Sequence, residues 1–342
     1  MRVFLVVGLS LILDTSPAAA KVHPSWPAYM KANRYKCPGP LDQIKKPRTL
    51  ILGGKRYKHS GALLTIQDED RDQNVKIGVI SAVKDVTRGT KSNIVAALDW
   101  FKQEQVEWII SNGDLALEEF DLDEVVVLLA QSQLPVLVVL GNSESKGSWL
   151  RTYRKHSRAY PNLINGTWIR QIVADDVEFW TLPGYYDKAF VHQGGGCLYT
   201  KNDIDALHQH FEPKGTGPVV LVSHGPPLGE GQQAIDRTAS QKNVGDPQLT
   251  ALLHDKLIPF GFFGHILEAG GRAVGGDFKS SVLPESWTTQ LYLNAGSLCA
   301  EPWGLSDGTT STGMAVLVSI KGRKASYQVK RFAPGDVMAS PH

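Results

Sequence analysis

The chain has 342 residues, 42% hydrophobic and 20% charged, with 33 Gly and 19 Pro, a balance that excludes a disordered, collagen-like or coiled-coil protein. Its length suffices to bury one large α/β core or two smaller ones. The formal net charge is +2, from 36 Lys+Arg against 34 Asp+Glu, so no global field draws the chain to nucleic acid or to an anionic membrane.

In chain order, one positive charge at Arg2, an apolar run from Val3 to Leu13 and the small residues Ala18-Ala19-Ala20 predict a secretory signal peptide over 1–20, cleaved near Ala20. A membrane span needs roughly 18 to 20 apolar residues, so the expectation is an exported protein without one, secreted or periplasmic. Residues 21–70 read as an N-terminal arm. Pro24, Pro27, Pro38, Pro40 and Pro47 keep its first part extended, and Thr49-Leu50-Ile51-Leu52 is expected to pair with Ala62 to Ile66 as a hairpin. The main domain is expected over 71–334, with a tail at 335–342.

From Lys76 onward, short apolar runs alternate with helical periodicity. Strands are predicted at Ile77 to Val83, Trp108 to Ser111 and Pro135 to Leu140, with helices at Ser92 to Gln105 and Leu122 to Gln133. The second half predicts strands at Val177 to Leu182, Val219 to Ser223, Phe260 to Phe263 and Leu291 to Asn294. Helices follow near Asn202 to Phe211 and Pro247 to Leu257, and a closing hairpin joins Met314 to Ile320 with Ala325 to Arg331. The pattern implies parallel βαβ units in one α/β domain of two layered sheets.

Polar residues gather where these strands end: Ser81-Ala82-Val83-Lys84, Asn112-Gly113-Asp114-Leu115, Gly141-Asn142-Ser143-Glu144, Ser223-His224-Gly225 and Gly264-His265-Ile266-Leu267. Ligands bind at the carboxyl ends of strands in α/β sheets, so these ends converge on one site.

The order and form of these pieces resemble the calcineurin-like metallophosphoesterases, which run D-x-H, GD, GNH[DE], H and GHxH, often with N-x-G-S near the close, as in Asn294-Ala295-Gly296-Ser297. The resemblance spans roughly Lys76 to Ile320. It implies a two-sheet β-sandwich flanked by helices in α/β/β/α layers, and a pair of metal sites. The second of these keeps its implied protein ligands, Asp114, Asn142, His224 and His265. The first keeps only the shared Asp114, because its other positions hold Ala82, Lys84 and Leu267. Ser143 stands where the family has its leaving-group histidine, and its hydroxyl has no suitable pKa for that work. Lys84 brings a positive charge to the lost half, where it stands as an anion binder or a partial mimic of the missing ion.

The expected function is an exported pseudo-phosphoesterase that holds at most one divalent metal and a phosphate-containing or other anionic small ligand. An Asp, Asn, His, His set suits Zn²⁺, Mn²⁺ or Fe²⁺. Two alternatives stand beside it: an active mononuclear phosphoesterase, and a metal-free envelope interaction module using the arm and an aromatic rim. No nucleic-acid partner is expected, and the sequence names no protein partner. Asp85 and Glu144 are the carboxylates available to replace the missing one. His192, His208 and His210 are expected on the surface, and Gly194-Gly195-Gly196 as a flexible loop. Trp149, Trp168, Trp180, Trp287 and Trp303 read as core or rim aromatics. Of the three cysteines, Cys37, Cys197 and Cys299, the last two are expected to pair.

Overall fold

The computed structural model describes residues 34–43, 45–70, 72–192 and 196–333. The signal peptide, the first part of the arm, Gly194, Gly195 and the tail at 335–342 lie outside the described residues. The fold below is that of the unit beginning at Tyr35.

Its first half forms β1 (Arg48–Leu52), β2 (Lys55–Ser60), β3 (Leu63–Ile66), β4 (Asn74–Ile80), α1 (Arg88–Gln103), β5 (Trp108–Asn112), α2 (Glu119–Ala130), β6 (Val136–Val139), α3 (Lys146–His156), β7 (Leu163–Asn165), β8 (Gln171–Val173) and β9 (Glu178–Leu182). The second half adds α4 (Lys201–His210), β10 (Val219–Ser223), α5 (Pro247–Asp255), β11 (Phe260–Phe263), β12 (Ala273–Val274), β13 (Ser281–Val282), β14 (Leu291–Asn294), β15 (Trp303–Gly304), β16 (Thr310–Ser311), β17 (Met314–Lys321) and β18 (Lys324–Arg331).

The strands build a six-stranded sheet, β18-β17-β4-β5-β6-β7, and a ten-stranded sheet, β1-β2-β3-β8-β9-β10-β11-β14-β12-β13. Each has a parallel centre, β4 to β7 in one and β9, β10, β11 and β14 in the other. Side-chain alternation along these strands makes the layers. Ile77, Val79, Leu137 and Val139 meet Val220, Val222, Phe260 and Phe262 between the sheets. On the outer face of the smaller sheet, Ile109, Val136 and Val138 pack against Ile94, Phe101, Val125, Leu129 and Trp149 from α1, α2 and α3. On the outer face of the larger sheet, Leu221 and Phe263 pack against Ile204, Leu207, Leu249 and Leu252 from α4 and α5. The result is the expected α/β/β/α order.

Several local expectations need correction. The strand predicted to reach Val83 ends at Ile80, because Ser81 to Lys84 leave the sheet to bond across to Asn112, Gly113 and Asp114. Helix α1 begins four residues early, at Arg88, where the Thr87 side chain accepts from Thr90 N. Helix α3 was not anticipated, although Ser145 caps it and it buries Trp149 and Thr152. In the arm, β1 pairs not with Ala62 to Ile66 but with the polar run Lys55–Ser60, where only Tyr57 is fully buried, and β3 follows as the third strand. β3 then runs parallel to β8, so this segment is the edge of the larger sheet.

The cysteine pairing also differs: the bridge joins Cys37 to Cys197, with Cα atoms 5.3 Å apart, and Cys299 is a buried free thiol. The arm reaches Cys197 through a short parallel exchange, Cys37 N to Leu198 O and Leu198 N to Tyr35 O. Cys299 instead donates its thiol to Asp85 Oδ2. Trp149 and Trp180 are buried, whereas Trp168, Trp287 and Trp303 are exposed, as are His192, His208 and His210. Among the described residues no helix is long and apolar enough to cross a membrane.

Candidate metal centre

The ends of the central strands are knitted together before any side chain enters the site. Ser81 Oγ donates to Asn112 O, Ala82 N to Gly113 O, Lys84 N to Asp114 O, and Gly264 N to His224 O. Four non-glycine residues on these loops, Ala82, Lys84, Asp114 and His265, have positive φ. Such backbone costs about 1 kcal/mol or more per residue, and it concentrates where the sheet ends must turn inward. Asn294 braces the His265 loop: its Nδ2 donates to Ile235 O and Ile266 O, and its Oδ1 accepts from Gly296 N.

The side chains of Asp114, Asn142, His224 and His265 converge. His224 Nδ1 lies 2.9 Å from the Asn112 carbonyl, which can only accept, so Nδ1 carries the proton and Nε2 presents its lone pair. Around Nε2 stand Asn142 Oδ1 at 2.9 Å, Asp114 Oδ1 at 3.3 Å and His265 Nδ1 at 3.3 Å. The Asn142 amide is oriented by its Nδ2, which donates to Phe190 O at 2.6 Å, so its oxygen faces the site. Three acceptor atoms and the facing His265 nitrogen therefore crowd one point, and only a proton or a cation relieves that crowding. Metal–ligand bonds of roughly 2.0 to 2.2 Å place neighbouring donors about 3 Å apart, the spacing found here. A histidine fixed through Nδ1–H to a backbone carbonyl is the usual support for an Nε2 ligand. The residues present fit one divalent transition metal.

The protonation equilibria carry the same imprint. Burial works against an ionised Asp114, but the His224 and His265 imidazoles and the Ser143 amide outweigh it and hold the carboxyl below its usual range. Burial also opposes a charged His224, yet Asp114, the Asn112 carbonyl and Glu144 raise it. Burial and the neighbouring His224 push His265 down to about 3, with Lys84 adding to the effect.

The positions that the resemblance assigns to a second ion offer fewer donors among the described residues. Ala82 and Leu267 are buried and offer no donor. Lys84 turns its ammonium over the Trp303 ring, 5.3 Å from the centroid, and among the described residues no carboxylate pairs with it. Ser143 donates its backbone N–H to Asp114 Oδ1, while its buried hydroxyl has no partner. Asp85 is not a replacement ligand, because its carboxylate takes Thr87 N and Oγ1 on one oxygen and the Cys299 thiol on the other. Glu144 is not one either. It accepts from Gly141 N at 2.9 Å and from Leu115 N, bracing one site loop against the other. Burial and the nearby Asp114 charge push its pKa up to about 7.

Two elements of the site escaped the sequence reading. Tyr185 lies against His265 with ring centroids 3.8 Å apart and planes tilted by 33°, and Phe190 meets the same imidazole edge-on at 5.7 Å. Both belong to the segment after β9 that the Cys37–Cys197 bridge secures, through Tyr185 N to Cys197 O and His192 N to Asn142 O. The run Tyr185-Tyr186 and the exposed Phe190 are the only sequence signal for this wall.

The glycines of the GD and GN pairs are required by space. A Cβ on Gly113 would strike the His224 ring and lie 2.6 Å from Gly141 N; one on Gly141 would strike the Asp114 carboxylate and lie 2.6 Å from Asp114 N. We expect Gly141→Ala to destabilise the fold by about 1 to 3 kcal/mol and to weaken metal binding at least about tenfold. Gly304→Ala, which meets nothing within 4 Å, should change neither; denaturant melts and metal titration of both variants check this.

No protein-family model matches the sequence, and no curated protein matches it. Solved structures do. One crystal structure superposes with a TM-score of 0.54 at 13% identity, covering 76% of this chain and 100% of that one. The protein TT1561 of Thermus thermophilus gives a TM-score of 0.48 at 13% identity, covering 70% of this chain and 98% of that one. A dimetal phosphatase from Danio rerio gives 0.43 at 13% identity, covering 76% and 99%. At such identities the likeness is one of architecture alone: this chain shares the fold of the first of these structures.

Proposed function

We propose that the chain is an exported protein that holds one divalent transition metal on Asp114, Asn142, His224 and His265 and binds a phosphate-containing anion beside it, without the paired-metal machinery of a hydrolase. The observation that carries this reading is the cluster of lone pairs around His224 Nε2, which the fold holds together through Asn112 O and Phe190 O. A metal bound there supplies a Lewis-acidic contact for an anionic oxygen. The chain's own residues do the rest. Asp114 and Asn142 supply oxygen donors, the two imidazoles supply nitrogen, Tyr185 keeps His265 in place, and Lys84 adds fixed positive charge on the side that has lost its donors.

The pseudoenzyme part of the reading rests on what flanks the donors. Ala82 and Leu267 cannot ligate, and a serine hydroxyl at position 143 is too weak an acid to protonate a leaving alkoxide. The Cys37–Cys197 bridge supports export, since structural disulfides persist in oxidising compartments.

Elemental analysis and calorimetric titration of the purified chain with Zn²⁺, Mn²⁺ and Fe²⁺ test the proposal. The expected result is one equivalent of metal, with no turnover of phosphomonoesters or phosphodiesters. Two tightly held ions, or none, would overturn it. Turnover that disappears in His224→Ala would replace it with a mononuclear phosphoesterase.

A further inference from the structure

Resting on that reading, we propose that Lys84, Trp303 and Phe190 make the site selective for an anion joined directly to a flat aromatic group. Trp303 opens β15, which packs against the turn Leu267–Ala269 that follows His265. The indole thereby stands on the side of the centre where Ala82, Lys84 and Leu267 replace metal ligands. Its face takes up one side of the Lys84 ammonium at 5.3 Å, which leaves other N–H groups for an acceptor. Among the described residues no carboxylate pairs with that charge, and the Lys84 backbone N–H donates to Asp114 O at 3.1 Å, which seats the residue beside the donors.

Large apolar side chains are exposed on the segments that flank this charge and the donors. Trp303 is 38% exposed, Leu117 54% and Phe190 51%. Leu117 joins the Lys84 loop through its N–H to Lys84 O, and Phe190 touches His265 on the donor side. A part-exposed indole beside a cation that no described carboxylate pairs with fits a ligand with the complementary pair, a negative group and a ring. Inorganic phosphate would satisfy the charge and leave the rings wet. The short distance from ammonium to ring favours a ligand whose own charge and ring are adjacent, whereas a nucleotide separates them with a sugar.

The test uses non-hydrolysable probes on the metal-loaded chain, with metal content measured in parallel. Phenylphosphonate is expected to bind about tenfold tighter than methylphosphonate, a difference within the range of one aromatic stack. Trp303→Ala should bring the two probes within about twofold, Trp303→Phe should restore most of the preference, and Lys84→Gln should weaken both. Equal affinities in the parent chain, a preference that survives Trp303→Ala, or tighter binding of hexylphosphonate or adenosine monophosphate than of phenylphosphonate would each overturn the assignment. A chain that binds no metal sinks the proposed function itself; one that binds metal but does not discriminate sinks only this inference.

Discussion

Replacing His224 with alanine is expected to abolish tight metal binding and to destabilise the metal-free fold by about 3 to 5 kcal/mol. His224 is completely buried and lies 3.3 Å from the Asp114 carboxylate, itself only 6% exposed. Removing the imidazole deletes one donor and, in the metal-free chain, the proton that Nε2 then holds against Asp114, which leaves that carboxylate charged without its main partner in a dry environment. It also removes the group that balances Glu144, whose carboxyl is already pushed up by Asp114. Metal content and urea melts in the presence of a chelator measure the two losses separately. The double variant His224→Ala with Asp114→Ala should regain part of the stability and none of the metal, because the orphaned charge is gone while the donor set is not restored. A His224→Ala protein that keeps its metal would show that the donors around Nε2 do not form the site.

Removing the disulfide is expected to have the second largest effect. Cys37 and Cys197 are separated by 160 positions, so the bridge restrains a long loop in the unfolded chain; Cys37→Ser should cost about 2 to 5 kcal/mol. The same change should reach the metal. The bridge secures the segment whose Phe190 carbonyl orients Asn142 and whose Tyr185 ring backs His265. Loosening supports of this kind typically costs 10-fold to 100-fold in affinity, and about tenfold is expected here. Reduction of the parent protein should reproduce both losses, whereas Cys299→Ala, which lies outside that segment, should leave metal affinity within about twofold. Denaturant melts and metal titrations with and without a reductant decide it. Unchanged affinity after reduction would mean that the segment holds the donors without the bridge.

Much of the site was legible because its residues sit at strand ends. An apolar run of four to six residues that stops at Gly-Asp, Gly-Asn, His-Gly or Gly-His marks both the end of a buried strand and the place where a polar side chain can turn into the crevice. The runs ending at Asn112, Val139, Ser223 and Phe263 show this. The alternation that sorts Ile77 and Val79 inward and Ile109 outward is likewise local, so the layering of two sheets between helices followed from periodicity and connection rules. What stayed hidden was short or polar. The three-residue strands β7 and β8 are too brief to show a period, and β2 is a polar edge strand with one buried side chain.

The roles of side chains around the donors were less legible. Asp85 and Glu144 were the two candidate replacement ligands in the sequence, Asp85 the poorer because a regular strand would face it away from Ala82 and Lys84; a carboxylate's direction depends on which backbone amides it meets. Asp85 turns to the cap of α1 and the Cys299 thiol, and Glu144 spans to Leu115 on another loop. The Gly141 and Gly113 requirements arise from two loops pressed together, about 30 positions apart in the chain.

By itself the sequence determined the two-sheet architecture, the order of the site loops and which polar residues stand at the strand ends, because each is written in local pattern: strand length, the residue after the last buried position, and the type of side chain there. Tertiary structure alone decided that Cys37 rather than Cys299 pairs with Cys197, that Lys84 leans on Trp303 instead of pairing with Asp114, and that an aromatic wall backs His265. Those outcomes depend on which loops meet after strands distant in the chain have come together, and a side chain's rotamer answers to the neighbours it meets there rather than to those beside it in sequence.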